Sequence, residues 1–156
     1  EQILKQMNVK ASIISYGAFD IYASAVDGFE SYKNPFWAFS RSSPRKIFGE
    51  GFDHVNNPDM YKAVSPLYNI PEAKVKALPP QLLLVGSNDR LTTPESVKDY
   101  LNALQEKGHQ VSYWEYPGKG HAFLDSGNNY FLGTSFERDA PEALDKMINF
   151  LESVFK

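Results

Sequence analysis

The sequence predicts an α/β fold in which parallel strands alternate with crossover helices, giving a three-layer αβα arrangement. Short runs rich in apolar and β-branched residues alternate along the chain with longer segments of helical periodicity. One run, residues 82–85, is apolar at every position, as expected of a strand covered on both faces. Successive strand–helix–strand units connect in the right-handed sense and therefore build a parallel sheet.

The composition narrows the class of protein. The 156 residues, 42% of them hydrophobic and 22% charged, suit one domain spanning residues 1–156. The net charge of −3 supplies no basic surface, so neither nucleic acid nor an anionic membrane is an expected partner. Cysteine is absent, which excludes disulfides, thiolate metal ligands and a cysteine nucleophile. No apolar run approaches the roughly 20 residues that cross a bilayer, and no feature indicates a cellular compartment.

The first part of the chain contains one helix end and one strand. Residues 1–8 carry apolar side chains on one face and are predicted to end a helix. Residues 11–16 form a short β-branched run that Gly17 closes, and they are predicted to be a strand.

Residues 19–67 lose this regular pattern. A stretch of this length inside a compact domain is usually functional or partly helical, so we expect short helices that form part of a cap or insertion. The alternative is a packed connection without a role in ligand binding. The stretch is rich in aromatic residues: Tyr22, Phe29, Tyr32, Phe36, Trp37, Phe39, Phe48, Phe52 and Tyr61.

The second half begins with the strand at residues 82–85 and continues into a helix. Thr92 and Glu95 have the spacing of a capping box, and Pro94 suits the first turn of that helix. Gly108 is the expected stop signal. The apolar stripe of the helix consists of Val97, Tyr100, Leu101 and Leu104.

A further strand and a final helix complete the pattern. Residues 110–116 alternate as a strand near the sheet edge, and Asp139 with Glu142 is predicted to cap the last helix. Its predicted stripe is Leu144, Met147, Ile148, Leu151 and Phe155. Three strands form an incomplete sheet, which we expect a segment outside this chain to continue. The unpaired edge and uncovered apolar faces favour association, with an N-terminal half of the same domain or as a homo-oligomer.

Two polar residues follow neighbouring strands of the predicted sheet. Asp89 comes just after the strand at residues 82–85, and His121 comes just after the next strand. Adjacent strands lie about 4.8 Å apart, so the two side chains can meet through a hydrogen bond. Such a pair forms the acid and the base of a nucleophile–histidine–acid triad. The alternative is a turn-forming aspartate and an exposed histidine that are unrelated.

The remaining candidates are weaker. Asp20 also follows a strand and is the rival acid, although a helix cap or a bond within the aromatic stretch is the favoured role. His54 and His109 lie in turns, and Lys119 is predicted to be a solvated loop charge. No cluster has metal-ligand spacing and no glycine-rich phosphate loop opens a helix, so neither a metal nor a nucleotide cofactor is expected.

With these residues in place, residues 65–156 resemble the C-terminal part of α/β-hydrolase esterases and lipases, including the hormone-sensitive-lipase-like group. The resemblance is carried by Ser65-Pro66-Leu67, by Leu78–Leu91 and by Tyr116–Phe123, with a weaker match at residues 8–20. It implies that Asp89 stands at the position of the triad acid and His121 at that of the triad base.

The chain departs from that family in two respects. Its members carry Gly-x-Ser-x-Gly and an oxyanion loop ahead of the strand at residues 11–16, and neither occurs here. Gly133-Thr134-Ser135-Phe136-Glu137 lacks the final glycine and is predicted to be a loop. We therefore expect the C-terminal part of one α/β-hydrolase domain, whose nucleophile lies in an absent N-terminal segment, and no triad hydrolysis by this chain alone.

The expected activity is hydrolysis of a small-molecule carboxylic ester by a Ser-His-Asp triad, without a cofactor. A peptidase, lactonase or thioesterase of the same fold is an alternative, as is a non-catalytic relative that binds a ligand or partner. An unrelated flavodoxin-like binding module is the third interpretation, but it needs a self-contained sheet of about five strands.

Overall fold

The structure is a computed structural model that describes residues 8–34, 37, 42–125, 127–130 and 133–156. The helix end predicted for residues 1–8 therefore lies almost wholly outside the described residues. The chain divides into two compact units. One contains the chain up to Ala18 and from Pro71 to Lys156, and the other is Phe19–Ile70.

In chain order the elements are β1 (Ser12–Ser15), α1 (Ile21–Val26), α2 (Pro58–Val64), a 3₁₀ turn (Pro66–Asn69), β2 (Gln81–Gly86), α3 (Pro94–Glu106), β3 (Val111–Tyr116), β4 (Asn128–Asn129), β5 (Thr134–Ser135) and α4 (Phe136–Phe155).

The larger unit is built on a parallel sheet. Its strand order is β1-β2-β3, and β2 pairs in parallel with both neighbours. In this register Ser12 lies opposite Gln81, which lies opposite Val111. The three predicted strands and their parallel arrangement are confirmed. The sequence located each strand because its apolar run ends at a glycine or a turn.

Helices cover both faces of the sheet. Leu82 and Leu84 of β2 pack in one cluster with Ala143 of α4. Gln81 is out of phase with these leucines and accepts a hydrogen bond from Tyr100 of α3. Alternate residues of a strand point to opposite faces, so α3 and α4 lie on opposite sides. The predicted three-layer αβα arrangement is confirmed within this unit.

The start of α3 corrects one prediction. The N-cap is Thr93, whose Oγ1 accepts a hydrogen bond from the Ser96 amide, so the capping box of Thr92 with Glu95 is wrong. Pro94 occupies the first turn as predicted, where its missing N–H costs nothing. The helix stops at Gly108, whose φ of +81° lets the Gly108 amide bond back to Gln105.

The start of α4 corrects a second prediction. The helix begins at Phe136, so Asp139 is not the N-cap residue but lies inside the first turns, where its Oδ2 accepts the amide of the N-cap residue Ser135. The segment predicted to be a loop, residues 133–137, instead enters β5 and then α4. Pairing of β4 with β5 and a hydrogen bond from the Phe136 amide to the Gly127 carbonyl oxygen direct the chain into the helix ahead of the predicted cap at Asp139.

The buried face of α4 is also rotated from the predicted stripe. Ala143, Met147 and Phe150 face the sheet cluster, whereas Leu144 and Ile148 are 42% and 53% exposed. The small side chain of Ala143 allows the helix to approach the sheet closely. The predicted stripe was defined by large apolar side chains alone, so it did not include this alanine. Among the described helices, none is long and apolar enough to cross a membrane.

The smaller unit, Phe19–Ile70, contains α1, α2 and the 3₁₀ turn. Tyr61 is fully buried and donates its hydroxyl proton to Glu30, and Ser65 Oγ accepts the amides of Ile21 and Tyr22. The short helices predicted for this stretch are confirmed. Its function as a cap stays a prediction.

Candidate active site

The carboxyl ends of β2 and β3 bring Asp89 and His121 together. The Asp89 amide bonds to the Gly86 carbonyl oxygen, which closes a tight turn directly after β2. His121 Nδ1 lies 2.8 Å from Asp89 Oδ2. The structure therefore places side by side the two residues that sequence reasoning selected.

The Asp89 carboxylate has a donor for both oxygens. Oδ1 accepts the amides of Leu91 at 2.9 Å and Thr92 at 3.0 Å. Oδ2 accepts the Thr92 hydroxyl at 3.0 Å in addition to His121. The carboxylate side chain is fully buried, so these bonds replace the water it lost. Thr92 thus belongs to the acid's hydrogen-bond network, a role that the capping-box interpretation missed.

The charge state of Asp89 follows from these contacts. Burial by itself would raise the pKa of the Asp89 carboxyl, but the hydrogen bonds from His121, Thr92 and Leu91 outweigh it and lower that pKa. Asp89 is consequently an anion at neutral pH and only accepts hydrogen bonds.

This anion determines the tautomer of His121. Because Asp89 can only accept, Nδ1 of a neutral His121 carries the proton, and Nε2 keeps a lone pair that can accept one. The imidazole side chain is 26% exposed, so it remains accessible while its partner is not. A buried carboxylate that orients a partly exposed imidazole is the arrangement a general base requires.

Backbone contacts fasten the acid loop to the histidine loop. The amides of Ser87 and Asn88 bond to the carbonyl oxygens of Tyr116 at 3.0 Å and Lys119 at 2.8 Å. Ser87 Oγ accepts the Gly118 amide at 2.8 Å. A Cβ atom on Gly86 would lie 2.3 Å from the Lys119 carbonyl oxygen, so only glycine permits this approach.

Lys119 is not the solvated charge that was predicted. Its Nζ lies 2.6 Å from Oδ1 of Asp139, whose side chain is fully buried. Arg138 also binds that carboxylate, and these hydrogen bonds, opposed by burial, lower the pKa of Asp139 strongly. The pair joins α4 to the loop that carries His121. Sequence reasoning missed it because Asp139 looks like a helix cap.

The other histidines and the rival acid have structural partners. Asp20 is the N-cap of α1, as favoured, and its carboxylate also accepts the Tyr68 hydroxyl. His109 is buried, with Nδ1 accepting the Leu78 amide and Nε2 bonded to the Pro71 carbonyl oxygen. The His54 ring lies nearly perpendicular to that of Tyr61 with the centroids 6.4 Å apart, and its buried Nδ1 has no hydrogen-bond partner among the described residues. Within the described ranges, no group of three His, Cys, Asp or Glu residues is placed to hold a metal.

Two cavities lie at opposite ends of the sheet. One of about 490 Å³ adjoins Asp89, and its lining includes Ser87, Asn88, Arg90 and Glu95. The other, of about 550 Å³, lies at the amino ends of β2 and β3 and contains neither Asp89 nor His121. Active sites of parallel sheets lie at the carboxyl ends of the strands. The first cavity lies at that end, but His121 is not among its lining residues.

Comparison with known proteins identifies the family of this chain. The model of the prolyl oligopeptidase family, Peptidase_S9, matches residues 20–156. The chain belongs to the prolyl oligopeptidase family. The fold is that of α/β-hydrolases, as the sequence motifs predicted. No curated protein matches the sequence.

Solved structures of three α/β-hydrolases illustrate the likeness. A truncated carbohydrate esterase from gut microbiota is 18% identical, with a TM-score of 0.51 over 73% of this chain. Thermogutta terrifontis esterase 2, phosphonylated by sarin, is 18% identical, with a TM-score of 0.61 over 94% of this chain. A Mycobacterium tuberculosis puromycin-hydrolyzing peptidase is 23% identical, with a TM-score of 0.54 over 75% of this chain. The chain spans only 36%, 44% and 16% of these proteins.

Proposed function

We propose that this chain supplies the acid and the base of a serine hydrolase, with Asp89 as the orienting carboxylate and His121 as the general acid and base. The observation that carries the proposal is the 2.8 Å bond between Asp89 Oδ2 and His121 Nδ1 at the ends of neighbouring parallel strands. Membership of the prolyl oligopeptidase family is a second line of support for the proposal, because the family match does not depend on the distance between Asp89 and His121.

The chemistry follows from the tautomer. Nε2 of His121 takes the proton from a serine hydroxyl as the serine oxygen attacks the substrate carbonyl carbon. The imidazolium that forms is stabilised by Asp89 and then gives its proton to the leaving oxygen or nitrogen. Water, activated in the same way, releases the acyl group and regenerates the serine. The serine and its oxyanion donors come from a polypeptide segment outside these 156 residues, since the sequence has no Gly-x-Ser-x-Gly.

A carboxylic ester is the proposed substrate class. The likeness to a carbohydrate esterase and to T. terrifontis esterase 2 supports this choice. A second candidate is a peptide or amide bond, which the prolyl oligopeptidase family match and the puromycin-hydrolyzing peptidase favour. Both substrates use the same acid and base, and they differ in whether His121 protonates an alkoxide or an amine.

Matched substrates separate the two candidates. The complete polypeptide that contains this chain is assayed with an acyl ester and with the amide of the same acyl group. Ester hydrolysis with a much higher kcat/KM supports an esterase, and efficient amide cleavage supports a peptidase. If His121→Ala leaves both rates unchanged, the proposed acid–base role is wrong.

A further inference from the structure

Tyr16 lies immediately after β1 in an unusual backbone conformation. Its φ is +43°, a left-handed value that aromatic residues rarely adopt. Within the described ranges, Ala122 is the other non-glycine residue with positive φ, and it directly follows His121. Both residues therefore border the candidate base. Retained backbone strain of this kind concentrates at functional sites.

The Tyr16 side chain contacts the segment that carries His121. Its ring centroid lies 4.9 Å from that of His121 at an interplanar angle of 56°, and 5.4 Å from that of Phe123. Burial, and then the nearby Asp125 carboxylate, raise the pKa of the Tyr16 hydroxyl. The ring contacts place Tyr16 against one face of this segment.

The Tyr16 backbone is anchored to the strand that leads to the acid. Its amide bonds to the Leu84 carbonyl oxygen at 2.7 Å. Three successive positions across the sheet, at the ends of β1, β2 and β3, thus present Tyr16, Asp89 and His121. With this strained backbone conformation, the Tyr16 ring contacts the His121 imidazole instead of continuing the side-chain alternation of β1.

We propose that Tyr16 is a positioning residue that fixes the plane of the His121 imidazole for its bond to Asp89. The polar contacts of the imidazole, with Asp89 Oδ2 at 2.8 Å and Thr92 Oγ1 at 3.4 Å, are both at Nδ1, so they hold that atom but let the ring tilt about it. Contact with the Tyr16 ring restricts that tilt and so directs Nε2. The proposal rests on the proposed function of His121 as a base.

The test compares three variants of the complete polypeptide that contains this chain. Tyr16→Phe keeps the ring and Tyr16→Leu removes it. Tyr113→Leu is the matched control, because Tyr113 is a partly buried β3 residue whose hydroxyl donates to Glu115 and whose ring faces the Lys98 ammonium instead. The readouts are kcat and KM, the free energy of unfolding, and the downfield NMR resonance of the His121 Nδ1 proton. The NMR readout is independent of activity, so failure of the proposed hydrolase function would be recognised separately.

The expected pattern separates positioning from packing. Tyr16→Leu lowers kcat about tenfold with KM little changed and broadens the Nδ1 resonance, whereas Tyr16→Phe stays within about threefold. Tyr113→Leu changes neither kcat nor the resonance, even if it lowers stability. If Tyr16→Leu does not fold, Tyr16→Met replaces it with the same readouts. An unchanged kcat and an unchanged resonance in the variant without the ring would overturn the proposal.

Discussion

Gly86→Ala tests the close approach of the acid and histidine loops. The added Cβ would lie 2.3 Å from the Lys119 carbonyl oxygen and 2.6 Å from that of Gly120. An ordinary carbon–oxygen contact is about 3.3 Å, so the histidine loop must retreat by about 1 Å. Overpacking of this kind costs about 1–3 kcal/mol of stability. A 1 Å displacement of a catalytic group costs about 100-fold in rate, and we expect that fall in kcat/KM.

The assay is kcat/KM of the complete polypeptide together with its free energy of unfolding in urea. Gly120→Ala is the matched control, since its Cβ would meet nothing nearer than the Asn88 carbonyl oxygen at 4.0 Å. The control adds the same methyl group one residue before His121, yet we expect it to retain most activity. Equal activity in Gly86→Ala and the unmodified protein would refute the reasoning from loop contact.

Three further predictions address the site and its surroundings. Asp89→Asn favours the wrong imidazole tautomer and lowers kcat of the complete polypeptide about 10⁴-fold, whereas Asp20→Asn leaves it near normal; the reverse result would make Asp20 the acid. Asp139→Asn removes the buried partner of Lys119 and destabilises folding by about 3 kcal/mol at neutral pH. Because folding lowers the pKa of Asp139 below its ordinary 3.8, this stability is lost as pH falls below that value, and urea titrations of the two proteins should converge in acid. The 156-residue chain alone should not hydrolyse an activated ester and should associate in light scattering; a cooperative monomer, or activity that His121→Ala abolishes, would contradict this.

The strands and the proximity of Asp89 to His121 were predictable because local signals agree there. The fully apolar run before Gly86 fits a strand covered on both faces, and Asp89 follows it at the point where a parallel sheet places its ligands. His121 follows the next strand at the length of one strand–helix–strand unit. Both residues directly follow a strand in the sequence, and this alone places them at the carboxyl end of the sheet.

The errors occur where a side chain has a partner that helix periodicity and capping rules do not consider. Asp139 has the sequence context of a helix cap, but its carboxylate is fully buried against Lys119, 20 residues earlier. Thr92 sits where a cap is expected, but its hydroxyl binds Asp89. In α4 the buried face runs through Ala143 rather than Leu144, because close approach to the sheet favours the smaller side chain. Periodicity and capping rules describe the local chain and do not register these partners.

Fluorophosphonate labelling most directly tests the central claim that Asp89 and His121 activate a serine. The complete polypeptide and its His121→Ala and Asp89→Asn variants are labelled, and the modified residue is located by mass spectrometry. We predict one labelled serine outside these 156 residues, with labelling slowed by orders of magnitude in both variants. Labelling at an unchanged rate in both variants, or no labelled serine in the unmodified polypeptide, would contradict the claim.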